Sequence, residues 1–440
     1  MSFRTIKNIT MVLVFATFIS GAQDNALSLK KTIHIAKHND LSLVESYYSQ
    51  KSVESLSIAA GSLPDPKVSF SLMNYPTDSF EFGQEPMTQA KVGISQAFPR
   101  GKTLQLKKQQ LSIQSEILPF QRLDRSAQVE VNVTQLWFDA YLAQESIGLI
   151  EQNRSLFEQL AEVAVNNYSS AFGKTQQQDL IRAQLELTRL EDRLTLLKLN
   201  YDSNLQNLSQ WLTDRFTQDY TDLDVVQGIN STDQLQLEKI MPAIIKKYTV
   251  NLSEDEMALV LNDHPAVVAL QQNIRVSETD IELAKQNYKP AWGLNASYGH
   301  RGESDLGVNR ADFLTLGVSI DVPLFTKNRQ DKKLDAAVAV NDVAQAQVYQ
   351  LLKKMLADYK NAAVQLKHLD KRYALYTTQL LPQMHEQAEA SLTAYTNDDG
   401  DFAEVVRSRI AELNAEIDAL SIAVDRQKIM AQLNYFFIKV

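Results

Sequence analysis

The chain has 440 residues, no cysteine, and a net charge of −9 from 44 Lys and Arg against 53 Asp and Glu. The lack of thiols excludes disulfide frameworks, thiolate metal sites, cysteine nucleophiles and an acylated N-terminal cysteine, and the acidic balance argues against a nucleic-acid partner. Only 14 Gly and 11 Pro occur in this length, so we expect long regular elements with few turns.

The first segment, residues 1–22, has the pattern of a secretory signal peptide. Arg4 and Lys7 precede the apolar run 9–19, and the small residue Ala22 stands at the expected cleavage point. The run is shorter than the roughly 20 residues that a membrane-spanning helix needs, and no later run approaches that length. We therefore expect an exported chain that enters a membrane only as β-strands closed into a barrel.

The rest of the chain reads as two tandem copies of one unit. With an offset of 224 residues, two Pro, one Gly and one Ser of the first half meet the same residue types in the second half. The pairs are Pro66 with Pro290, Gly93 with Gly317, Ser95 with Ser319, and Pro99 with Pro323. We divide the chain into a first repeat at 23–213, a polar linker at 214–250 and a second repeat at 251–440.

Each repeat contains a helix followed by two segments with the period of a β-strand. Apolar residues alternate with small or polar residues, and the prolines of these pairs, two in each repeat, mark the strand–helix borders. Strands are predicted at about 67–76, 87–98, 291–300 and 312–322. Segments of about ten residues match transmembrane strands, although an ordinary half-buried sheet gives the same alternation. Four strands are too few to enclose a lumen, whereas three chains would supply twelve.

Two long helices are predicted after the strands of each repeat. Residues 100–168 are poor in Gly and Pro, and a continuous helix of this length would extend about 100 Å. In the following helix, mostly apolar residues recur every seven positions from Leu180 to Leu208, as they do from Ala403 to Ala431 in the second repeat. A second series follows three residues behind the first, from Ala183 to Trp211 and from Val406 to Leu420. This spacing is typical of coiled coils. Hairpins this long bury little surface unless they pair laterally, which predicts oligomerisation.

Glycine and proline positions predict where these helices turn or are interrupted. Gly173 and Gly400 each follow a Tyr by five residues, where a chain leaving a helix needs a residue that tolerates positive φ. Pro119 and Pro382 lie inside the helical runs and are expected to kink or interrupt them.

Together these features resemble the TolC-type outer-membrane efflux proteins over residues 27–438. The resemblance rests on the signal peptide, the twofold helix–strand–strand–helix–helix order, the border prolines, and the hairpin motif from Tyr168 through Gly173 to Asp179-Leu-Ile-Arg-Ala-Gln. It implies a mainly α-helical chain with a membrane β-barrel portion. A homotrimer would form a 12-stranded barrel in outer-membrane lipid and a 12-helix tunnel through the periplasm, with 214–250 in an equatorial belt. Neither an enzymatic activity nor a cofactor is implied.

Two shorter motifs resemble the subset of these proteins that serves heavy-metal export of the Cus/Czc type. They are Leu63-Pro-Asp-Pro66 and Gln96-Ala-Phe-Pro-Arg-Gly-Lys102. The resemblance implies a passive exit duct for solutes such as heavy-metal cations, with a periplasmic adaptor (membrane fusion) protein and an inner-membrane pump of the RND type as partners. Drug efflux and type I protein secretion are alternatives, and a periplasmic coiled-coil adaptor or scaffold is an alternative from a different class.

The resemblance also implies an acidic constriction near the tips of the helical hairpins. Like charges gathered in one narrow ring would favour opening or cation binding, and arginines could clamp them by charge-assisted hydrogen bonds, whereas the alternative is a solvated hairpin tip. Gly173 and Gly400 would mark the tips where the adaptor docks. No metal site is expected, because the six His show no ligand spacing. The candidate gate residues are Asp179 and Arg182 in the first repeat and Asp398, Asp399, Asp401, Glu404 and Arg407 in the second.

Overall fold

A computed structural model of the chain describes residues 26–169, 177–213, 237–246, 252–304, 307–397 and 400–440. Its helices are α1 (Leu29–His38), α2 (Leu41–Ala60), α3 (Thr103–Ser169), α4 (Gln177–Leu212), α5 (Glu254–Asn262), α6 (Pro265–Gln286), α7 (Gln330–Leu375), α8 (Leu381–Thr396) and α9 (Phe402–Tyr435). Its strands are β1 (Lys67–Met73), β2 (Gln89–Phe98), β3 (Ala291–His300) and β4 (Phe313–Asp321). Within the described residues, none of the helices combines the length and apolar character that crossing a membrane requires.

Each repeat begins with two helices where the sequence predicted one. Asp40 accepts a hydrogen bond from the Ser42 backbone N–H at 3.0 Å and so begins α2. At the equivalent point, Nδ1 of His264 accepts from the Ala266 N–H at 3.2 Å and begins α6. A side chain that satisfies a free N–H of the first turn stabilises a new helix start, which divides each run in two.

The four strands form one antiparallel sheet in the order β1-β2-β3-β4. The β2–β3 pairing joins the two repeats, and Phe70, Val92, Tyr298 and Leu314 lie in register across all four strands. β1 ends three residues before the predicted boundary because Asn74 adopts a φ of 52°, in the left-handed region that a strand cannot continue through.

Four helices lie side by side at each level below the sheet. Near the sheet the order is α2, α3, α6, α7, and farther away it is α4, α3, α9, followed by the lower part of α7 with α8. Each strand connects directly to the helix at its own position, since α2 leads into β1, β2 into α3, α6 into β3, and β4 into α7. The chain therefore forms one continuous wall, four elements wide, and α3 with its 67 residues extends about 100 Å along it.

The two prolines inside the long helices have different effects. α3 continues from Thr103 to Ser169 through Pro119 without interruption. In the second repeat a π-helical turn, Tyr376–Leu380, separates α7 from α8 directly before Pro382. Because proline lacks a backbone N–H, the helical hydrogen-bond pattern must change around it, and a π turn is one way to accommodate this. The predicted interruption thus occurs at Pro382 but not at Pro119.

The helices are held together by apolar clusters at the predicted heptad positions. Leu190 and Leu194 of α4 are buried in one cluster with Leu413 and Ile417 of α9. Leu208 of α4 is buried in a second cluster. The fully buried Trp137 and Phe138 of α3 form the centre of the cluster that also receives α1 and the end of α4. The further members of this cluster include Leu27, Leu29, Ile35, Val133, Leu212 and Leu237.

An extended segment, residues 237–246, crosses the helices at this level, and we call it the strap. The Lys239 carbonyl accepts from the Tyr141 hydroxyl at 3.1 Å, near the start of the strap. Farther along, the Ile244 N–H donates to the Gln427 side chain of α9 at 2.8 Å. Beyond α9 the strap reaches Lys246 beside α7. It therefore links the α3 side of the wall to the α7 side.

Candidate functional site

The sheet has one strongly apolar face that is open to its surroundings. Phe70 is 71% exposed and Leu316 is 74% exposed, although both are large apolar residues. Water around such a contiguous patch is unfavourable, so the face requires lipid or another apolar surrounding. The exposed apolar residues of this face are Val68, Phe70, Leu72, Val92, Ile94, Trp292, Leu294, Leu314, Leu316, Val318 and Ile320.

The opposite face of the sheet carries small and polar residues that interlock. A Cβ added to Gly317 would lie 2.6 Å from the Oδ1 atom of Asn295, and one added to Gly93 would lie 2.9 Å from the Ser69 hydroxyl. Each glycine therefore leaves the space that a polar side chain of the next strand occupies. This pairing keeps the polar face thin, which allows the sheet to be concave on that side.

Both outer edges of the sheet lack a strand partner within the described chain. β1 and β4 are the end strands, and each presents unpaired backbone N–H and C=O groups on its outer side. Unpaired edges are templates for pairing with another chain. The two edges of one copy are thus available to the edges of other copies.

At the end of the sheet away from the helices, the two strand connections bind each other. The Arg301 side chain donates to the Pro86 carbonyl at 3.2 Å, and Arg310 donates to the Glu85 carbonyl at 2.9 Å. The carboxylate of Asp312 accepts from the Arg301 N–H at 2.9 Å. The two connections therefore stabilise one another.

The four prolines lie where the strands meet the helices. Proline cannot donate to a strand ladder, so it suits the ends of strands. Pro66 directly precedes β1, Pro99 directly follows β2, Pro290 directly precedes β3, and Pro323 lies two residues after β4.

Arg100 and its neighbours connect the two repeats at this border. Its guanidinium donates to the carbonyls of Asn287 and Lys289 and forms an ion pair with Asp321. Next to it, Gly101 has a φ of 49°, and an added Cβ would lie 2.4 Å from the side chain of Gln286. The motif that resembles the heavy-metal subset thus has a structural role here, because it joins β2 and α3 to the second repeat.

The described part of the second hairpin tip has its own local order. Asp401 begins α9 by accepting from the Ala403 N–H at 3.0 Å. Glu404 and Arg407 form an exposed ion pair within the same helix. Gly400 does not adopt the positive φ that the sequence predicted. It is required for a different reason, since an added Cβ would lie 2.5 Å from the Tyr395 backbone nitrogen.

The remaining predicted gate residues are only partly described. Gly173, Asp398 and Asp399 lie outside the described residues, as does the side chain of Asp179. Arg182 is exposed on α4, and among the described residues it forms no ion pair. The structure therefore brings together Asp401, Glu404 and Arg407 but leaves the acidic ring as a prediction.

A hydrophobic cluster joins the two hairpins near their tips, and sequence reasoning did not identify it as a functional feature. Phe402 is 2% exposed and its ring lies edge-on to Tyr395, with 5.6 Å between the ring centres. The cluster includes Ala183 of α4 and Leu160 of α3, together with Val405 and Val406 of α9. We call it the tip cluster. Its sequence signal was the heptads, in which Ala183 of α4 and Val406 of α9 each occupy a seam position.

A second missed feature is an ionic network between α8 and α9. The mostly buried Arg409 pairs with Glu389 and, at 2.8 Å, with Glu412. Glu412 also accepts from Nδ1 of His385 at 2.6 Å, and this hydrogen bond raises the pKa of His385. Burial raises the pKa of the neighbouring Glu416 carboxyl. No single local motif announces this network, because its members lie on two helices.

No protein-family model matches the chain, but solved structures resemble it closely in fold. CusC superposes with a TM-score of 0.74 at 13% identity, covering 94% of this chain and 92% of that chain. The chain has the fold of the TolC-type outer-membrane channels. The outer-membrane protein VceC of Vibrio cholerae superposes with a TM-score of 0.73 at 13% identity, covering 93% of this chain and 96% of that chain. The open state of the outer-membrane channel MtrE of Neisseria gonorrhoeae superposes with a TM-score of 0.70 at 15% identity, covering 93% of this chain and 88% of that chain. The predicted fold class is confirmed.

One curated relative is similar in sequence. The chain is 25% identical over 244 residues to the proteases secretion protein PrtF of Dickeya chrysanthemi. The match covers 54% of this chain and 48% of that protein, so the chain matches about half the length of this relative.

Within the described residues, no group of three or more His, Cys, Asp or Glu is placed to hold a metal ion.

Proposed function

We propose that three copies of this chain form an outer-membrane channel that is the exit duct of a tripartite export machine. The observation that carries the proposal is the sheet, with an exposed apolar face, a thin polar face and two unpaired edges. Pairing β4 of each copy with β1 of the next satisfies every edge. Twelve strands then enclose a lumen behind the polar face, while the apolar face meets lipid.

The helices support the same ring. One edge of the wall is formed by α2 and α4, and the other by α7 and α8. Both edges expose apolar residues, including Leu199 on α4 and Val343 and Tyr349 on α7. A ring buries these surfaces between copies, and four helices from each of three copies form a tunnel. A helix of about 100 Å extends far from the sheet. In this proposal the tips therefore lie in the periplasm, where they would meet a periplasmic adaptor and, through it, an inner-membrane pump.

The gate is placed at the tips of the hairpins. In this proposal Asp179 and Arg182 face the constriction in the first repeat, and Gly173 and Gly400 mark the adaptor-docking tips. The acidic residues of the second tip are Asp398, Asp399, Asp401 and Glu404, with Arg407 as their cationic partner. The Glu404–Arg407 ion pair supports the arginine clamp, since it already neutralises one of these carboxylates.

We propose secreted polypeptides as the first candidate cargo and heavy-metal cations as the second. The relative that is similar in sequence is named as a proteases secretion protein, and this chain matches about half of the length of that protein. The metal candidate rests on the two motifs at the strand–helix border. Their described contacts are structural, as in the hydrogen bond from Gln96 to the Pro64 carbonyl at 2.8 Å.

A pair of adjacent substitutions tests the channel. Leu316→Lys places a charge on the proposed lipid face, at a cost of about 2–4 kcal/mol near the middle of a bilayer. Thr315→Lys places the same charge on the polar face, which the proposal assigns to the lumen. We expect Leu316→Lys to abolish assembly in the outer-membrane fraction. Thr315→Lys should assemble normally and change ion selectivity in planar bilayers. Equal effects of the two substitutions on membrane assembly would refute the assignment of the faces.

The cargo is tested separately in a deletion strain complemented with the wild-type gene. Polypeptide secretion predicts that the deletion removes specific proteins from the culture medium and leaves metal tolerance unchanged. Loss of tolerance to copper, silver, cobalt or zinc with an unchanged set of secreted proteins would favour the metal candidate instead.

A further inference from the structure

A pocket with an apolar floor and a basic rim lies at the α7 edge of the wall, and we call it the α7 pocket. Its volume is about 700 Å³, and it lies beside the end of the strap. The half-exposed Val364 is part of the floor, so an apolar surface remains open here. The floor is formed by Leu252, Tyr359, Ala363, Val364, Leu366 and Leu433, and the rim carries Lys246, Lys360, Lys367 and Lys371.

Most of the positive charge on this rim is not neutralised by the described residues. Lys360 pairs with Glu254, and the one acidic residue of the rim, Asp370, pairs with Arg426 at 2.7 Å. The exposed side chains of Lys246, Lys367 and Lys371 have no ion-pair partner among the described residues. The occupant that this pocket suits is therefore an acidic segment with interspersed apolar side chains.

The chain itself contains such a segment, in the 23 residues 214–236. Five Asp and one Arg occur there. Its central part, 219–226, reads Asp-Tyr-Thr-Asp-Leu-Asp-Val-Val, with three carboxylates among four apolar or aromatic residues. The composition of this part complements the apolar floor and the basic rim.

The described residues on either side of this segment lie at the opposite edge of the wall from the pocket. Leu212, at the end of α4, packs in the cluster around Trp137, and Leu237 pairs with Leu27 in the same cluster. The strap leads from this cluster to Lys246, so the cluster and the pocket lie at the same level. Within one copy the segment would have to cross α3 and α9 to reach the α7 pocket. That distance is about 30 Å, at 8–10 Å for each helix spacing.

In the proposed ring, the α4 edge of one copy adjoins the α7 edge of the next. Only about one helix spacing then separates the ends of the segment from the pocket of the neighbouring copy. We propose that residues 219–226 of one copy dock in the α7 pocket of the next copy and clasp the ring at its equator. This inference rests on the proposed trimeric channel.

Engineered cysteines test the contact directly, because the chain has no cysteine of its own. The full-length double variant Asp222→Cys/Lys367→Cys is expressed and mildly oxidised in native outer membranes. We expect disulfide-linked dimers and trimers on non-reducing gels that become monomers on reduction. The matched control is Asp222→Cys/Lys353→Cys, in which the second cysteine is also exposed on α7 but lies about 21 Å nearer the sheet, outside the pocket. It should yield at least fivefold less cross-linked product.

Charge exchange gives a second readout. Adding Lys367→Cys and Asp222→Cys to a Lys246→Asp/Lys371→Asp background should lower the cross-linking yield at least fivefold. The further changes Asp219→Lys/Asp224→Lys should restore it. Cross-linking confined to single chains, or no cross-linking while both cysteines react with maleimide, would overturn the proposal.

The mass of the detergent-extracted protein, measured by light scattering, separates this outcome from failure of the channel itself. A trimer without the cross-link refutes only the clasp, whereas a monomer refutes the ring.

Discussion

The tip cluster should hold the periplasmic end of the tunnel closed, and Phe402→Ala is the sharpest test of this role. The ring is buried and packs edge-on to Tyr395, between the two hairpins. Truncating a buried Phe to Ala costs about 3–5 kcal/mol. If opening of the tip exposes the whole Phe402 side chain to water, at least about 3 kcal/mol of this cost destabilises the closed state alone. Since about 1.4 kcal/mol is a factor of ten, the ratio of open to closed channels should rise roughly 100-fold.

The assay is single-channel recording in planar bilayers, where the variant should open spontaneously at voltages that leave the wild type closed. Phe138→Ala is the matched control, because Phe138 is also fully buried but lies about 33 Å from the tip cluster along α3. It should lower thermal stability by a similar amount without raising open probability. A less stable Phe402→Ala trimer with unchanged open probability would refute a role for this cluster in closure.

Three further predictions concern the sheet, the wall and the gate. Gly317→Leu should impair assembly of the outer-membrane trimer on semi-native gels, because a Cβ at this position lies 2.6 Å from Oδ1 of Asn295 and the leucine would occupy the space of that side chain. Burial lowers the pKa of His264, so the unfolded chain takes up a proton first and stability should fall as pH drops below about 6.5. His264→Asn keeps an acceptor for the Ala266 N–H but cannot be protonated, and it should lose less thermal stability than the wild type between pH 7.5 and 5. Asp179→Ala combined with Glu404→Ala should raise single-channel conductance, and unchanged conductance would count against these positions as the constriction.

The strands and long helices were predictable because their signals are periodic and local. Alternation over about ten residues marked all four strands, and the heptads marked the seams that bury Leu194 and Leu413. The features that the sequence did not predict depend on single contacts. The division of the first helical run at Asp40, for example, depends on one side-chain cap that a periodic pattern does not register.

Contacts between distant parts of the chain were beyond reach of the sequence. Arg100 binds carbonyl groups more than 180 residues away, and its partner Asp321 belongs to the other repeat. Nothing near Arg100 in the sequence specifies these acceptors, since they are backbone groups present at every residue. Gly400 shows a related limit, because a steric contact and a positive φ both select glycine and give the same residue in the sequence.

The two repeats have equivalent elements but unequal surroundings, and this bears on how the gate would work. α9 lies inside the wall between α3 and α8, whereas its counterpart α4 lies at the edge. The interactions of α9, including the Arg409 network and the Glu404–Arg407 pair, therefore act within one copy. Exposed residues of α4 such as Arg182 would meet the neighbouring copy when the ring closes. Opening the proposed channel thus requires two different changes, one inside each copy and one between copies, and the tip cluster connects them because it contains residues of both helices.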